Sequence, residues 1–342
     1  MNLCVTNPLT DNRWEKLVDH HPRASAFHRR GWIEALARTY GYKPVVVTSA
    51  PAGEPLNSGI VLCLISSWIT GTRLVSLPFA DHCEPLVSDV DEAVELISWT
   101  RAERERQRWK YVEVRPLFQD VRYGQSSRSY YFHQLDLTPS LEQIFRTLHK
   151  DSIQRSIRRA EREQLLYETG TCKTLVDEFY RLMWITRRRH GLLAQPRIWF
   201  EHLVQCMGGN AQIRVARKNG RAIAAMLTLQ HRSTMVYKYG CSDQKFHNLG
   251  GMPFLFWRLI EESKSSGLES LDLGRSDLDN EGLITFKDRF GTEKRLLTYY
   301  RHPRADRPQI PRWQSQVLRE LVSVLPDVVL SNASRVFYKQ MG

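Results

Sequence analysis

The chain has 342 residues, 42% of them hydrophobic, so it is long enough to build a core in each of two domains. This composition excludes a disordered protein. A formal net charge of +12 favours phosphate-rich partners, namely nucleic acid, nucleotide-linked precursors or an anionic membrane surface, and does not choose among them.

The six cysteines are scattered, with no Cys-x-x-Cys pair and no paired histidine spacing. We therefore expect no metal site, no disulfide framework and a reduced, cytoplasmic protein. The first residues lack the basic start and apolar run of a signal peptide, and the longest apolar stretch, residues 59–70, is too short to span a bilayer. Any membrane contact would be peripheral, at the inner face.

The first half of the chain predicts one series of elements. A helix over 32–40 precedes three strands, a second helix and a fourth strand, over residues 44–47, 59–65, 73–77, 92–107 and 111–114. Asp81, His82 and Cys83 follow the third strand. Cys83 has no obvious base near it in sequence, so an ordinary polar loop is favoured over a reactive thiol.

A basic helix is predicted at the junction of the halves. A strand over 131–137 leads through Pro139 into a helix over 141–163. Its arginines fall three or four residues apart and share a face that could bracket a polyphosphate or an RNA backbone: Arg155, Arg158, Arg159 and Arg162. The alternative is a solvated face, partly neutralised by Asp151, Glu161 and Glu163.

The second half repeats the element order of the first. A helix over 175–190 precedes strands, a helix and a last strand over residues 213–216, 222–229, 235–239, 253–265 and 270–273. We interpret this as duplication of one α/β unit, with chance resemblance as the alternative. Arg187, Arg188 and Arg189 end the first of these helices, where they satisfy its dipole without needing a ligand.

A glycine turn precedes the helix over 253–265. Gly250 and Gly251 allow a tight bend that exposes backbone N–H groups, and Pro253 suits the first helical turn. Such an N-terminus attracts anions, although an αβ unit without ligand has the same pattern. Asp243 and His247, after the preceding strand, could accept a proton from an attacking amine, but a loop aspartate that caps the next turn is the common alternative.

The composition of the chain changes after Arg301. Three prolines suggest a surface connection, and a helix follows whose apolar side carries Trp313, Val317, Leu318, Leu321, Val322 and Leu325. We expect this tail to pack on the body; an interfacial membrane helix is the alternative.

Residues 131–300 resemble the FemAB-like branch of the GNAT superfamily. The resemblance rests on the order of several motifs, none distinctive alone: the basic helix at 155–160, Arg189-His190-Gly191, Tyr237-Lys238-Tyr239-Gly240, Gly250-Gly251, Asp272-Leu273-Gly274-Arg275-Ser276, Phe286-Lys287 and Phe290-Gly291. The tail after Pro303 is similar to relatives associated with exopolysaccharide and exosortase loci.

This resemblance implies an α/β fold of tandem GNAT-like domains, each a mixed sheet flanked by helices, over residues 1–130 and 131–302, with a helical tail over 303–342. It implies transfer of an acyl or aminoacyl group onto an amine of a peptidoglycan, exopolysaccharide or related precursor. No cofactor is expected, and the donor substrate would be aminoacyl-tRNA or acyl-coenzyme A.

The resemblance also implies roles for particular residues. Lys287 would stabilise a developing oxyanion, with Asp243 and Tyr239 as further catalytic residues. The alternative for Lys287 is a surface lysine paired with Asp288 or Glu293. Substrate and its phosphates would be held by Arg275, Asp272, His247, Gly250, Gly251 and the arginines Arg155, Arg158 and Arg159.

One position departs from the family pattern. The coenzyme A turn of GNAT proteins has a small residue where this chain has Met252, and a bulky side chain there predicts weak coenzyme A binding. Two alternatives to aminoacyl transfer stay open: acetyl-coenzyme A-dependent N-acetylation and a non-catalytic basic binding module. Lys287 and Arg275 favour an enzyme over a binding module.

Overall fold

The computed structural model describes residues 3–303, 325 and 327–341. These residues form a mixed α/β fold around one twelve-stranded sheet. The strands are β1 (Cys4–Thr6), β2 (Lys43–Thr48), β3 (Ile60–Ile65), β4 (Arg73–Val75), β5 (Tyr111–Val114), β6 (Ser126–Asp136), β7 (Leu166–Gly170), β8 (Ala211–Lys218), β9 (Arg221–His231), β10 (Thr234–Ser242), β11 (Ser270–Asp277) and β12 (Glu293–His302).

Helices connect these strands. The α-helices are α1 (Asn12–His20), α2 (Arg30–Tyr40), α3 (Val90–Arg106), α4 (Leu141–Thr147), α5 (Arg155–Arg162), α6 (Lys173–Arg189), α7 (Arg197–Met207), α8 (Gly251–Ser265), α9 (Glu281–Asp288) and α10 (Asp327–Met341). A π-helical turn (Lys150–Gln154) precedes α5, and a 3₁₀ turn (Gln244–Leu249) precedes α8. Among the described helices, none is long and apolar enough to cross a membrane.

The sheet confirms the predicted repeat. Its strand order is β1-β2-β3-β4-β5-β12-β6-β11-β10-β9-β8-β7. In each half, three antiparallel strands lead through one helix into a parallel fourth strand, so β4 pairs with β5 as β10 pairs with β11.

The two halves also exchange strands at the centre. β6 follows β5 in the chain but pairs with β11, and β12 follows β11 but pairs with β5. β6 and β12 pair with each other, so the sheet is continuous across the middle. The domain boundaries after residues 130 and 302 stay a prediction.

Alternate strand residues face opposite cores, as the pleat of a sheet requires. In β3, Val61 and Cys63 join one core, which α1, α2, α6 and α7 cover, whereas Ile60 and Leu62 face the other side, which α3 covers. On that second side, α4, α5 and α8 cover the other half of the sheet. Helices therefore flank both faces of the mixed sheet, in agreement with the predicted fold class.

The predicted helix over 141–163 is divided, which corrects the sequence-based prediction. α4 ends at Thr147 because Leu148 and His149 have extended backbone, and the His149 N–H donates to the Arg289 carbonyl at 2.8 Å. A tertiary hydrogen bond thus overrides local helical preference here. The tail helix predicted around residues 313–325 lies outside the described residues, apart from Leu325.

Candidate active site

The site begins where β10 and β11 separate. They pair in parallel only from Thr234–Ser270 to Val236–Asp272, although both strands run further. Tyr237 and Tyr239 pair with adjacent residues of β9, so Lys238 forms a β-bulge. A bulge bends its strand and redirects a side chain. The two strands consequently diverge and leave an opening at their carboxyl ends.

A cavity of about 1320 Å³ occupies this opening. Its walls come from β10, β11, the end of α6, the start of α8 and α9. The volume is large enough for a substrate of more than drug size. Polar groups converge in it, and each is described in turn below.

A buried charge cluster forms one wall. Asp81, which follows β4 in the first half of the chain, accepts a hydrogen bond from Lys238 Nζ at 2.8 Å, and Arg275 Nε lies 3.7 Å from its other oxygen. Burial favours the neutral carboxyl, but Lys238 and Arg275 outweigh it and lower the pKa of Asp81 below its ordinary value. Gly274 has φ +70°, and a Cβ there would stand 3.0 Å from the Asp81 carboxylate. Glycine allows this close approach.

Lys287, on α9, lies beside this cluster and is only 3% exposed. Its ammonium donates to the carbonyls of Gly274 at 3.1 Å and Arg275 at 2.8 Å. Burial lowers the pKa of Lys287 to about 8, although Asp81 and Asp272 act in the opposite direction. Two of its three ammonium protons are used in this way, which leaves the third for a ligand.

Arg275 and Tyr239 are held rigidly in the cavity wall. The Arg275 guanidinium stacks 4.2 Å from the centre of the Tyr130 ring and donates to the Tyr299 hydroxyl at 2.7 Å. The Tyr239 hydroxyl accepts a hydrogen bond from Trp199 Nε1 at 3.1 Å, and burial raises the pKa of Tyr239. Tyr239 therefore stays protonated and can donate to a ligand.

Asp272 does not line the cavity but hydrogen-bonds to residues that form or support its wall. One carboxylate oxygen lies 3.0 Å from His82 Nε2, and the other accepts the Gly274 N–H at 2.6 Å. These contacts tie the loop that carries Asp81 and His82 to β11 and fix Gly274. Cys83 is buried, and burial raises the pKa of its thiol, so the structure favours the polar-loop interpretation over a reactive cysteine.

The first turn of α8 also lines the cavity. Gly250 is left-handed, with φ +76°, and a Cβ on it would lie 2.4 Å from the Ser156 carbonyl of α5. The N–H groups of Gly251 and Met252 have no carbonyl inside the helix to bond. His247 Nε2 lies 3.2 Å from the guanidinium of Arg189. Burial, then Arg189, lowers the pKa of His247 and favours its neutral form. The positive charge of this edge of the cavity therefore comes from Arg189 and the α8 N-terminus, which together suit an anion.

Comparison with known proteins finds one matching domain model and several structures of the same fold. Residues 148–287 match the model of the acetyltransferase (GNAT) domain. The structure of FemX superposes with a TM-score of 0.68 at 12% identity, over 93% of this chain and 100% of that one. Residues 148–287 are thus similar to a GNAT acetyltransferase domain, and the chain shares the fold of FemX.

Two further structures share the fold of this chain. The C-terminal domain of a putative lysylphosphatidylglycerol synthetase from Agrobacterium fabrum superposes with a TM-score of 0.56 at 15% identity, covering 90% of this chain and 94% of that one. A tandem GNAT protein from the clavulanic acid biosynthesis pathway superposes with a TM-score of 0.52 at 11% identity, covering 88% of this chain and 97% of that one. No curated protein matched the sequence.

The cavity gathers most of the residues that the sequence singled out. Among the predicted catalytic and binding residues, those that line it are Lys287, Tyr239, Arg275, His247 and Gly251. Gly250 adjoins it as the residue before α8, and Asp272 supports it from behind. Their roles toward a substrate stay predictions.

Asp243 and three of the arginines are not brought to the cavity. The Asp243 carboxylate caps the 3₁₀ turn by accepting the Lys245 N–H, and it pairs with Arg221 at 3.1 Å, as the capping alternative predicts. Arg155, 73% exposed along its side chain, pairs with Asp151 at 2.8 Å. The other two arginines of α5 also have partners outside the cavity. Arg159 pairs with Glu163, and the guanidinium of Arg158 lies over the Phe145 ring.

Sequence reasoning missed two residues of the charge cluster. Asp81 was interpreted as part of a polar loop, and Lys238 served only as part of a family motif. Their ion pair joins positions far apart in the chain, so no local pattern reports it. The one available signal is a single lysine inside an otherwise aromatic strand segment, Tyr237 to Tyr239.

Proposed function

We propose that the protein transfers an aminoacyl group from aminoacyl-tRNA to an amine of a phosphate-bearing cell-wall or polysaccharide precursor. One observation carries this proposal. One cavity between β10 and β11 is lined both by a buried lysine, Lys287, and by the uncapped N-terminus of α8. The first group can stabilise a developing negative charge, and the second can bind a phosphate.

The reaction follows from this geometry. The neutral acceptor amine attacks the ester carbonyl of the donor, and negative charge develops on the carbonyl oxygen. The third ammonium proton of Lys287 and the phenolic proton of Tyr239 are available to stabilise that oxygen. When the tetrahedral intermediate collapses, the tRNA hydroxyl leaves and takes up the proton that the amine has lost.

The positive edge of the cavity supports binding of phosphates. Gly251 and Met252, at the uncapped start of α8, line the cavity together with Arg189, which contacts His247 of the turn before α8. Charge-assisted hydrogen bonds from such groups are about twice as strong as neutral ones. We assign this edge to phosphate groups of the donor or of the acceptor precursor.

Two observations favour aminoacyl-tRNA over coenzyme A as the donor. Met252 lines the cavity at the turn where a coenzyme A pyrophosphate would need to approach the backbone closely. The net charge of +12 favours a nucleic-acid partner. In addition, one fold neighbour is named a putative lysylphosphatidylglycerol synthetase, which is consistent with aminoacyl transfer on this scaffold.

A second candidate function is acetyl-coenzyme A-dependent N-acetylation. It is favoured by the match of residues 148–287 to the acetyltransferase (GNAT) domain model. The two candidates share the cavity, Lys287 and the amine acceptor. They differ only in the donor, so a donor comparison separates them.

The deciding experiment supplies purified protein with aminoacyl-tRNA or with acetyl-coenzyme A. Glucosamine 6-phosphate serves as an amine probe, and donor consumption and amide formation are measured. Amide formation from aminoacyl-tRNA, lost in Lys287→Met, supports the proposal. Amide formation from acetyl-coenzyme A alone selects the second candidate. Binding of tRNA without transfer from either donor would indicate a non-catalytic basic module.

A further inference from the structure

The C-terminal helix α10 contacts both halves of the sheet. On the first half, the Tyr42 hydroxyl donates to the Tyr338 carbonyl at 2.5 Å. On the second half, the Tyr338 hydroxyl donates to the Leu193 carbonyl at 2.9 Å. Helix α10 therefore bridges the two halves beside the cavity.

A buried arginine anchors the end of this helix. Arg73, at the start of β4, is 1% exposed, and its guanidinium donates to the Gln340 carbonyl at 2.7 Å. Thr70 Oγ1 donates to the same carbonyl at 3.0 Å. Cations are favourable at helix C-termini, and a buried guanidinium needs bonded N–H groups. The end of α10 and Arg73 therefore stabilise each other.

The middle of α10 holds the loop between α6 and α7, residues 190–196, which we term the rim loop. Ser334 Oγ donates to the Ala194 carbonyl, next to the Leu193 carbonyl that Tyr338 binds. Ser334 is fully buried. Residues on both sides of these two carbonyls line the cavity, namely His190, Gly191, Leu192 and Gln195. The position of the rim loop thus depends on hydrogen bonds from α10.

Tyr338 also forms part of the cavity wall itself. Its ring lines the cavity and meets the Phe79 ring edge-on, with centroids 5.7 Å apart. Phe79 lies two residues before Asp81, so this aromatic pair adjoins the charge cluster. Burial raises the pKa of Tyr338, which keeps its hydroxyl a hydrogen-bond donor.

We propose that Tyr338 is a positioning residue of the active site. Its ring bounds the substrate cavity, its hydroxyl fixes the rim loop, and α10 is thereby a working part of the site. The inference rests on the proposed function, since it assigns the cavity to the transferred or accepting group. The substrate contact would be with the apolar ring of Tyr338, which limits the size of the group bound beside Asp81.

Three variants test this role in the full chain. Tyr338→Phe removes only the hydroxyl, Tyr338→Ala removes hydroxyl and ring, and Val336→Ala is the control because Val336 is 52% exposed on the same helix. The first readout is amide hydrogen exchange of the rim loop. We expect exchange to rise about fivefold in Tyr338→Phe, the scale of one hydrogen bond, and more than tenfold in Tyr338→Ala, with no change in the control.

The second readout is kinetic, with aminoacyl-tRNA as donor and glucosamine 6-phosphate as amine probe. We expect Tyr338→Ala to raise KM about tenfold while kcat falls less than threefold, since the reacting groups are untouched. Rim-loop exchange within twofold of wild type in both Tyr338 variants would overturn the proposal. The exchange readout needs no substrate, so a wild-type protein without transferase activity would refute the proposed function and still leave the role of Tyr338 decided by exchange.

Discussion

The two halves share a strand order but differ at the start of the equivalent helices α3 and α8. Helix α3 is capped by Asp89, whose carboxylate accepts the Glu92 N–H at 2.9 Å. Glu92 in turn accepts hydrogen bonds from Ser49 and Ser58. The N-cap residue of helix α8 is Gly250, which has no side chain to cap the helix. The N-terminus of α3 thus carries its own anions, whereas that of α8 can accept one from a ligand.

The parallel strand pairs of the two halves also differ: β4 and β5 stay bridged beyond their ladder, whereas β10 and β11 separate. Beyond β4, the Ser76 N–H donates to the Glu113 carbonyl at 2.8 Å, and the Arg115 N–H donates to Ser76 Oγ at 3.2 Å, so the first-half strands stay bridged. Beyond Val236, β10 and β11 separate around Lys238. The strands therefore stay joined in the first half, whereas in the second half they separate and border the cavity.

The two repeated units therefore contribute different parts of the candidate site. We call the first half, in which the parallel strands stay bridged, the closed half, and the second half, in which they separate, the open half. The closed half contributes Asp81 and His82, which bond Lys238 and Asp272 of the open half. The open half contributes the cavity, Lys287 and the α8 N-terminus. We infer that chemistry belongs to the second half and that the first half supports it.

The largest expected effect comes from breaking the link between the halves. Asp81→Asn leaves the ammonium of Lys238, whose side chain is only 6% exposed, without its carboxylate, and we expect it to lower the free energy of unfolding by about 3–5 kcal/mol. Asp151→Asn breaks the exposed pair with Arg155 and should cost less than about 1 kcal/mol. Urea unfolding measures both variants. Equal costs would show that the Asp81 cluster is not a structural link.

The next effect concerns the chemistry of the open half. Lys287→Met should lower kcat about one hundredfold or more, the scale of a lost oxyanion partner. Lys294→Met removes a partly exposed lysine that pairs with Asp288, and its kcat should stay within twofold of the wild-type value. Steady-state transfer kinetics compare them, and unchanged turnover in Lys287→Met would remove this lysine from the mechanism.

The pH dependence sharpens the same assignment. Because the pKa of Lys287 is lowered to about 8, its charge and therefore kcat should fall as the pH rises above about 8, tenfold per unit at the limit. Lys287→Arg should abolish this basic limb. The sign for stability is opposite: between about pH 8 and the ordinary lysine pKa the unfolded chain binds more protons, so this group makes stability rise with pH. An unaltered limb in Lys287→Arg would assign it to another group.

A tenfold effect is expected at the α8 turn. Acetyl-coenzyme A should bind wild type weakly because Met252 blocks close approach of the pyrophosphate, with about 1.5–3 kcal/mol lost for each missing charge-assisted hydrogen bond. Met252→Ala should therefore tighten binding by about tenfold or more. Calorimetry measures the Kd of both proteins. Micromolar binding by wild type would contradict this account and favour N-acetylation.

The smallest effect is expected at α5. The double reversal of Arg155 and Arg159 to Glu should raise KM about threefold and flatten its dependence on salt, because these exposed arginines act only through their long-range field. Arg106→Glu, on the closed half, is the control. If KM and its salt dependence stay unchanged in the double variant, the α5 face is only solvated.

The local hydrophobic pattern of the sequence was sufficient to predict the strands and helices of the two repeated units. Residues 111–114 form β5 as predicted, and the strands and helices of both series appear within a few residues of their expected bounds. The exchange of β6 and β12 was not predictable, because strand pairing across the whole chain leaves no local periodicity. Helix α7 and strand β7 were missed, and the break at His149 depends on a distant carbonyl, that of Arg289.

The candidate site was likewise predictable only where its residues are close together in the sequence. Lys287, Arg275 and the Gly250 turn stand out through motifs whose residues are close in sequence. Asp81 and Lys238 meet only in the folded chain, 157 positions apart. Exposure is likewise a tertiary property, so charge spacing on α5 could not show that Arg155 lies outside the cavity.

Hydrogen exchange with and without bound aminoacyl-tRNA tests most directly the claim that the second-half cavity is the transfer site. The account predicts protection over residues 237–252 and 274–287, which contain the cavity walls, and no change over residues 89–97 at the start of α3. Protection at residues 89–97 without protection at 274–287 would contradict it.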